Sequence, residues 1–345
     1  MGHAQDFETL VERHRREIQV HCYRMLGSLA DAEDLAQETF LRAWKGRDGF
    51  EGRASVRTWL YRIATNACLD VLARRPRRVL PDQLGPAGEP AGSIAAADLP
   101  WLEPYPDRLL DGAAPGGTDD PGAAVVERET IELAYLAAVQ YLPPRQRATL
   151  ILRDVLGWSA KETAALLETS VASANSALQR ARATLRERLP ARRAEWTVGD
   201  PTAEEAALLK RFIAAYEAGD PAAVARLLHE DAQAIMPPYT LWFGNRASII
   251  RALSLSMDPA SPDCVGRFRM LPVRANRQPA VATYLRRPNE HDHRWFGVTL
   301  LTIEGGSITA MAAFESVTAA AWGLPETWPE EHDDHRSPGK MQSGA

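Results

Sequence analysis

Cysteine is scarce and unpatterned: Cys22, Cys68 and Cys264 are odd in number, far apart, and include no C-x-x-C pair. That usage supports neither a disulfide framework nor a zinc site, and the three read as reduced, partly buried thiols. No apolar run approaches the roughly 18 residues of a membrane span. The N-terminus enters a charged amphipathic pattern at once, so the chain is expected to be cytoplasmic, with no membrane partner. Also missing is the nucleophile or carboxylate dyad that would give a reaction away; no enzyme activity, metal or cofactor is expected. A large charge of one sign is lacking too. The formal net charge of -5 over 345 residues argues against a uniformly basic DNA-coating protein.

What is present is uneven charge. Residues 1–80 hold 14 Lys and Arg against 11 acids, and residues 126–196 hold 11 against 8. Between them, residues 81–125 carry Arg108 alone against eight acids, together with eight prolines and seven glycines. So many helix breakers and a net charge of -7 over that stretch predict an extended, mobile linker over 79–125. One patch departs from spacer composition. Leu99–Asp111, L-P-W-L-E-P-Y-P-D-R-L-L-D, places Trp101, Leu102, Tyr105, Leu109 and Leu110 where a solvated spacer has no use for them. It is expected to dock on the C-terminal module or on a partner, with a collapsed local cluster as the alternative.

Residues 1–78 read as an all-α domain. Phe7, Leu10, Val11, His14 and Ile18 follow helical spacing to Gly27-Ser28, and Asp31 makes an N-cap for D-A-E-D-L-A-Q-E-T-F-L-R-A-W. This second helix buries Leu35, Phe40, Leu41 and Trp44 and exposes Asp34, Gln37 and Glu38; an acidic face gains nothing from phosphates and should meet a protein. Arg53–Arg78 follows, with seven arginines against one acid, Asp70, and with Trp59 and Tyr61 among them. Those residue types suit opened nucleic acid, by stacking and phosphate contact, and suit an ordinary solvated helix face as well.

Residues 126–193 form a second all-α domain. Leu142-Pro143-Pro144 ends one helix, Arg145–Leu156 forms another, and Ser159 with Glu162 makes a capping box. A short turn, Glu168–Ser170, then leads into Val171–Leu189, giving a helix-turn-helix. From residue 200 to 320, two helices precede short alternating segments with Gly305-Gly306 at a hairpin, an α+β pattern. The last residues, 321–345, rich in Pro, Asp, His and Ser, read as a disordered tail.

The acidic helix followed by F-E-G-R-A-S-V-R-T-W-L-Y-R-I-A-T-N-A-C-L-D-V-L strongly resembles region 2 of the extracytoplasmic-function sigma factors of the sigma-70 superfamily. L-P-P-R-Q-R through L-Q-R-A-R resembles their region 4. The resemblance implies that Asp34, Gln37 and Glu38 dock on the beta-prime clamp helices of RNA polymerase core. It places Arg53, Ser55, Arg57, Trp59, Tyr61, Arg62 and Asn66 near the minus-ten strand of promoter DNA. Trp59 is expected toward the core, with Arg57, Tyr61 and Arg62 on the surface. It also implies that the second domain rests on the beta flap and reads the minus-thirty-five element through Ser173, Asn175, Ser176, Gln179, Arg180 and Arg182. S-A-N-S-A stands where many members have T-V-K-S-R, which implies a different or weaker minus-thirty-five preference.

The C-terminal module resembles the SnoaL-like, ketosteroid-isomerase-type cones, and W-L-x-P-Y-P is similar to the linkers of sigma factors that carry one. The resemblance implies an apolar pocket for a small apolar ligand, with Met236, Tyr239, Trp242, Phe243, Trp295 and Phe314 as its lining. His229 and Asp231 form an acid/base pair by composition, or merely end a helix and start a strand. The expected function is a sigma factor regulated by its fused module. The alternative is a one-component DNA-binding regulator with a ligand-sensing module, which has no need of the acidic helix.

Overall fold

The computed structural model describes residues 2–50, 55–88, 96–110, 131–189, 202–315 and 317–328. The first domain is a three-helix bundle of α1 (Gly2–Leu26), α2 (Leu29–Gly46) and α3 (Val56–Leu72) around Ile18, Met25, Phe40, Leu60 and Ala64. Helix α2 starts earlier than its acids suggest. Ser28, not Asp31, is the N-cap, its Oγ accepting the Asp31 N–H at 3.2 Å. That leaves the Asp31 carboxylate free to take Arg75 and Arg78, at 2.7 and 2.5 Å.

The second domain comprises α4 (Leu133–Val139), α5 (Pro144–Leu150, continued by one π-helical turn through Val155), α6 (Ala160–Leu166) and α7 (Val171–Arg188). Ser159 and Glu162 form the expected capping box, and Ser170 caps α7. Tyr135, Val139, Leu150, Leu178 and Leu185 make a separate small core.

In the C-terminal module, α8 (Ala203–Ala218), α9 (Pro221–Ala225) and α10 (Arg246–Met257) accompany β1 (Leu228–Ile235), β2 (Trp242–Phe243), β3 (Arg267–Ala275), β4 (Gln278–Arg286), β5 (Arg294–Glu304) and β6 (Ser307–Phe314). The six strands are ordered β2-β1-β6-β5-β4-β3, with β1 parallel to β6 and the other pairs antiparallel. One face of this sheet is filled by Leu208, Phe212, Val224, Ile249, Met270, Leu301 and Met311. Its other face, with Ala280, Val298, Leu300, Ala312 and Phe314, joins the same buried cluster as the first domain's Ile18 and Tyr23 and the second domain's Leu133 and Leu136. The module is therefore seated against both helical domains.

The linker expected to be extended and mobile is packed over Trp101–Asp107, while Leu84–Ala87 and Asp98–Leu99 are exposed. Val79 pairs with Trp101, and Ala97 N–H donates to Pro238 O at 2.9 Å. Trp101, Leu102, Tyr105 and Leu110 are all buried. Apolar side chains at four of these positions release enough water to offset the ordering of a proline-rich backbone, whose unfolded state is already restricted. The expected tail is corrected in part as well. Helix α11 (Ala319–Trp322) buries Trp322, Thr327 bridges to Arg294, and the Trp328 N–H donates to His293 O at 2.9 Å. Residues 329–345 lie outside the described residues.

The three parts meet at the tight β3–β4 turn, where Asn276 and Arg277 adopt φ of +54° and +59°. Two consecutive left-handed residues are what a two-residue hairpin of the right twist requires, and asparagine tolerates that conformation. The Asn276 side chain is fully buried. Its Oδ1 accepts the linker's Tyr105 N–H at 2.8 Å, and its Nδ2 donates to Tyr23 Oη at 2.9 Å and Ile131 O at 2.7 Å. Next to it, Gln278 Oε1 accepts the Leu133 N–H that opens α4, at 3.2 Å, and Asp107 takes the Arg277 N–H at 2.8 Å. Replacing Asn276 by alanine leaves the buried Tyr105 N–H and Ile131 O without their side-chain partner and takes one of two bonds from the Tyr23 hydroxyl, which keeps Glu103 O, and about 2–4 kcal/mol of stability should go with them. Thermal melts of Asn276→Ala should show that loss. Trypsin should then cleave after Arg108, whose guanidinium now donates to Ala320 O and Ala321 O, far faster than in the native chain.

Candidate polymerase and nucleic-acid interfaces

Helix α2 turns Leu35, Phe40 and Trp44 inward, but Leu41, expected in the core, is 54% exposed; Asp34 and Gln37 are exposed as well, with Glu38 half-buried beside them. Glu38 is held by Arg42 one turn on, Nε to Oε1 at 2.8 Å. The expected protein-facing acids thus share one side of one helix. The N-terminus of that helix is fixed by the linker: Glu103 Oε2 accepts the Ser28 hydroxyl at 2.9 Å and the Leu29 N–H at 3.0 Å. Burial raises the Asp31 carboxyl, but hydrogen bonds from Arg75 and Arg78 outweigh it and hold the group below its ordinary range. Arg75 and Arg78, two of the seven arginines counted over Arg53–Arg78, are therefore structural ties to α2.

Helix α3 separates the expected minus-ten residues. Ser55 is exposed and caps the helix through the Thr58 N–H. Arg62 and Asn66, one turn apart, are exposed. Trp59 is half-buried against Phe50, ring centroids 4.8 Å apart, as expected of a core-leaning residue. Arg57 and Tyr61 depart from expectation. Arg57 Nε donates to Glu17 of α1 at 2.7 Å, and its guanidinium lies over the Tyr61 ring. Tyr61 is 1% exposed, its hydroxyl on the same Glu17. Both sit on the side of α3 that meets α1, and a tyrosine can bury its ring because Glu17 satisfies its hydroxyl. Arg53 lies outside the described residues.

His21 borders this site without being legible as part of it. It is fully buried, its Nε2 2.9 Å from Thr65 Oγ1 and its Nδ1 without a partner. Burial, reinforced by the charges of Arg24 and Arg57, lowers its pKa to about 3.

On the recognition helix α7, Ser173, Asn175, Ser176, Gln179 and Arg180 are all exposed along one side, while Ala174, Leu178 and Ala181 face inward. Ser173 gives its N–H to the Ser170 cap. Arg182 differs from expectation: it is clamped by both oxygens of Asp154, at 2.9 and 2.6 Å. A residue that the sequence reading passed over is Arg147, 2% exposed, whose Nη1 donates to Met25 O at the end of α1 and to Gln140 Oε1, at 2.6 and 2.9 Å.

The six residues expected to line a pocket in the C-terminal module do not converge. Phe243 alone packs with the inner cluster. Tyr239 donates to Glu315 and bridges to Ala96, Trp242 donates to Gly85 O at 2.9 Å, and Trp295 donates to Val317 O at 2.7 Å. Phe314 lies on the opposite face, in the cluster shared with the helical domains, and Met236 is half-buried ahead of the Pro237 turn. A cavity of about 790 Å³ does exist, but between that opposite face and the second domain, lined by Ala134, Tyr141, Arg188, Gln233, Thr302 and Ala312 among others. None of the six expected residues lines it. His229 and Asp231 are exposed, His229 Nδ1 accepting the Asp231 N–H at 3.2 Å. That is a strand-end contact and not an enclosed acid/base pair.

Comparison with known proteins accounts for this layout. Residues 10–78 match Sigma-70 region 2, residues 132–185 match Sigma-70 region 4, and residues 209–311 match the SnoaL-like domain. The ECF RNA polymerase sigma factor SigG of Mycobacterium tuberculosis is 43% identical over 326 residues, covering 93% of this chain and 85% of SigG. The chain belongs to the ECF RNA polymerase sigma factors. This sigma factor is a transcription initiation factor rather than an enzyme, and RNA polymerase is its partner. SigW of Bacillus subtilis is 32% identical over 188 residues, covering 54% of this chain and 91% of SigW. The crystal structure of the Mycobacterium tuberculosis sigma factor SigJ shares the fold, with a TM-score of 0.55 at 22% identity, covering 92% of this chain and 99% of that one. Among the described residues of the sigma factor, no helix is long and apolar enough to cross a membrane.

Burial of His21 carries a pH consequence for the sigma factor. Its folded pKa, about 3, lies below the ordinary 6.5, so between those values the unfolded chain takes the proton first. Its contribution is full above about pH 6.5 and is lost as pH falls, by up to about 1.4 kcal/mol per unit. Urea unfolding at pH 7.5 and 5.5 should show that loss, and His21→Gln, which can still reach Thr65, should flatten it.

Proposed function

We propose that this sigma factor docks on polymerase core through Asp34, Gln37 and Glu38, holds the minus-ten strand through Arg62 and Asn66, and reads the minus-thirty-five element through α7. The observation that carries the reading is the division of exposed surface. The acidic face of α2 and the Arg62–Asn66 side of α3 belong to one rigid bundle, and a helix-turn-helix stands in a second. Opening a duplex next to a polymerase calls for that pairing of a protein-facing surface and a strand-facing one. A single strand is gripped by stacking, worth about 1–3 kcal/mol per base, and by phosphate contacts that weaken with salt. Ser173, Asn175, Ser176 and Gln179 supply neutral donors and acceptors for base edges, and Arg180 a cation for phosphate. Arg57 and Tyr61 support the strand surface from beneath, and the exposed Ser55 holds the start of α3.

The domain division that fits these roles is 1–78 for core binding and the minus-ten element, 126–193 for the minus-thirty-five element, and a regulatory module from residue 200 to about 328. The clamp helices and the flap are the polymerase elements that the two helical domains fit. The module acts through the linker it packs against, since Glu103 of that linker fixes the start of α2.

The test is to separate binding from opening. Full-length protein carrying Asp34→Ala, Gln37→Ala and Glu38→Ala should lose co-purification with core at least tenfold. Arg62→Ala with Asn66→Ala should keep core binding while permanganate reactivity of promoter thymines drops. Unimpaired core binding by the first variant would remove the clamp assignment. Unimpaired opening by the second would remove the minus-ten assignment.

A further inference from the structure

Two cysteines far apart in the sequence meet in the first domain. Helices α1 and α3 run side by side in a fixed register: Tyr61 Oη donates to Glu17 at 3.2 Å, and His21 Nε2 lies 2.9 Å from Thr65 Oγ1. Cys22 follows His21 and Cys68 lies one turn beyond Thr65, so the thiols come together just past that contact, and they share a hydrogen bond. Both are 0% exposed, and neither is bridged. The third free cysteine, Cys264, is half-buried in the loop before β3.

A buried cation bears on the pair. Arg147, brought in by α5 of the second domain, donates only to neutral groups: Met25 O, Gln140 Oε1, Gln140 O and Leu142 O. Its Nε has no partner. A buried guanidinium facing only carbonyls is costly. Burial lowers its pKa to about 10, and Cys68 is the group whose negative charge opposes that shift. The converse holds for the thiol. Burial, with the bond to Cys22, pushes Cys68 well up, and the Arg147 charge pulls it back. Arg147 thus gives Cys68 a cation for its thiolate, the form that reacts.

The pair also adjoins the joints between the parts. Tyr23 Oη, one residue on from Cys22, accepts from Asn276 at 2.9 Å, and Met25 O accepts from Arg147 at 2.6 Å. A disulfide brings its sulfurs to about 2.05 Å, well inside the contact of two thiols. The turn of α1 that carries those two acceptors must then follow Cys22.

We propose that Cys22 and Cys68 are an oxidation site: hydrogen peroxide closes them into a disulfide, and the shift of α1 loosens the first domain from the other two. The Cys68 thiolate attacks one peroxide oxygen, the O–O bond breaks, and the leaving hydroxide takes the proton that Cys68 gave up, forming water. The Cys22 sulfur then displaces hydroxide from the Cys68 sulfenic acid, and its own proton completes the second water. Two thiols lose two electrons and the peroxide gains them. Because both thiols are shut in, the reaction proceeds through local opening and is slow.

The experiment treats full-length reduced protein with hydrogen peroxide under native conditions, alkylates the remaining thiols after denaturation and maps the tryptic peptides. Glu17–Arg24 and Ile63–Arg74 should appear joined, with Cys264 alkylated. In Cys22→Ala, dimedone should capture a sulfenic acid on Cys68; in Cys68→Ala it should capture none on Cys22. Arg108 lies in the linker that Asn276 holds through Tyr105. Trypsin should therefore cleave the oxidised chain after Arg108 about threefold faster or more than the reduced chain, and dithiothreitol should reverse the gain. Peroxide should leave cleavage of Cys22→Ala unchanged from its own untreated sample, so that any destabilisation by the substitution cancels. Alkylation of both Cys22 and Cys68 after treatment, a bridge to Cys264, or a joined pair whose formation leaves cleavage unchanged overturns the proposal. Dimedone on Cys22 rather than on Cys68 overturns the assignment of Cys68 as the attacking thiol.

Discussion

The carboxamide of Asn276 is where the protein's parts are held in register. A buried amide is stabilising only when its donors and acceptor are all matched, and here the partners come from three different places: Tyr105 in the linker, Tyr23 in the first domain and Ile131 at the entry to the second. Shifting any one of them by a residue leaves a buried group unpaired. The hydrogen-bond line continues, since Tyr23 donates to Glu103 O and the Glu103 carboxylate caps α2. A turn in the C-terminal module is thus connected, through two side chains, to the helix that carries Asp34, Gln37 and Glu38.

Apolar burial supplies the energy and the polar node supplies the specificity. The sheet has two covered faces. One is closed by its own helices, with Phe212, Met270 and Met311 filling the space where a cone would hold a ligand. The other gives up Val298, Leu300 and Phe314 to a cluster continuous with both helical domains. The cavity of about 790 Å³ lies at the junction of the module with the second domain.

Much of this was legible because it is local. Helical periodicity, the Ser159–Glu162 box and the Gly305-Gly306 turn depend on residues close in sequence, and the structure agrees with them. The exposed sets on α2 and α7 were legible for the same reason: a face of one helix is set by spacing alone. The errors are non-local. Tyr61 and Arg57 look like surface residues on α3 until Glu17 of α1 is placed opposite them. Arg182 looks free until Asp154 arrives from the end of α5, two helices back. The pocket residues looked convergent because aromatics in a resembling cone line its interior, whereas in this chain Trp242 and Tyr239 hold the linker.

The sequence alone determined the two helical domains, the helix-turn-helix, the α+β module and the family to which the chain belongs, since these rest on short-range patterns and on ordered motifs. Only the tertiary structure decided that the Trp101–Leu110 stretch of the acidic, proline-rich linker is packed, that Trp322 and Trp328 extend the module past residue 320, and that Asn276 joins all the parts. A linker's composition reports its cost of ordering but not the surface available to offset it. That surface is the outer face of the sheet, assembled from strands as distant in sequence as β1 and β6, where Leu228 lies opposite Ile308, and it exists only once the chain has folded.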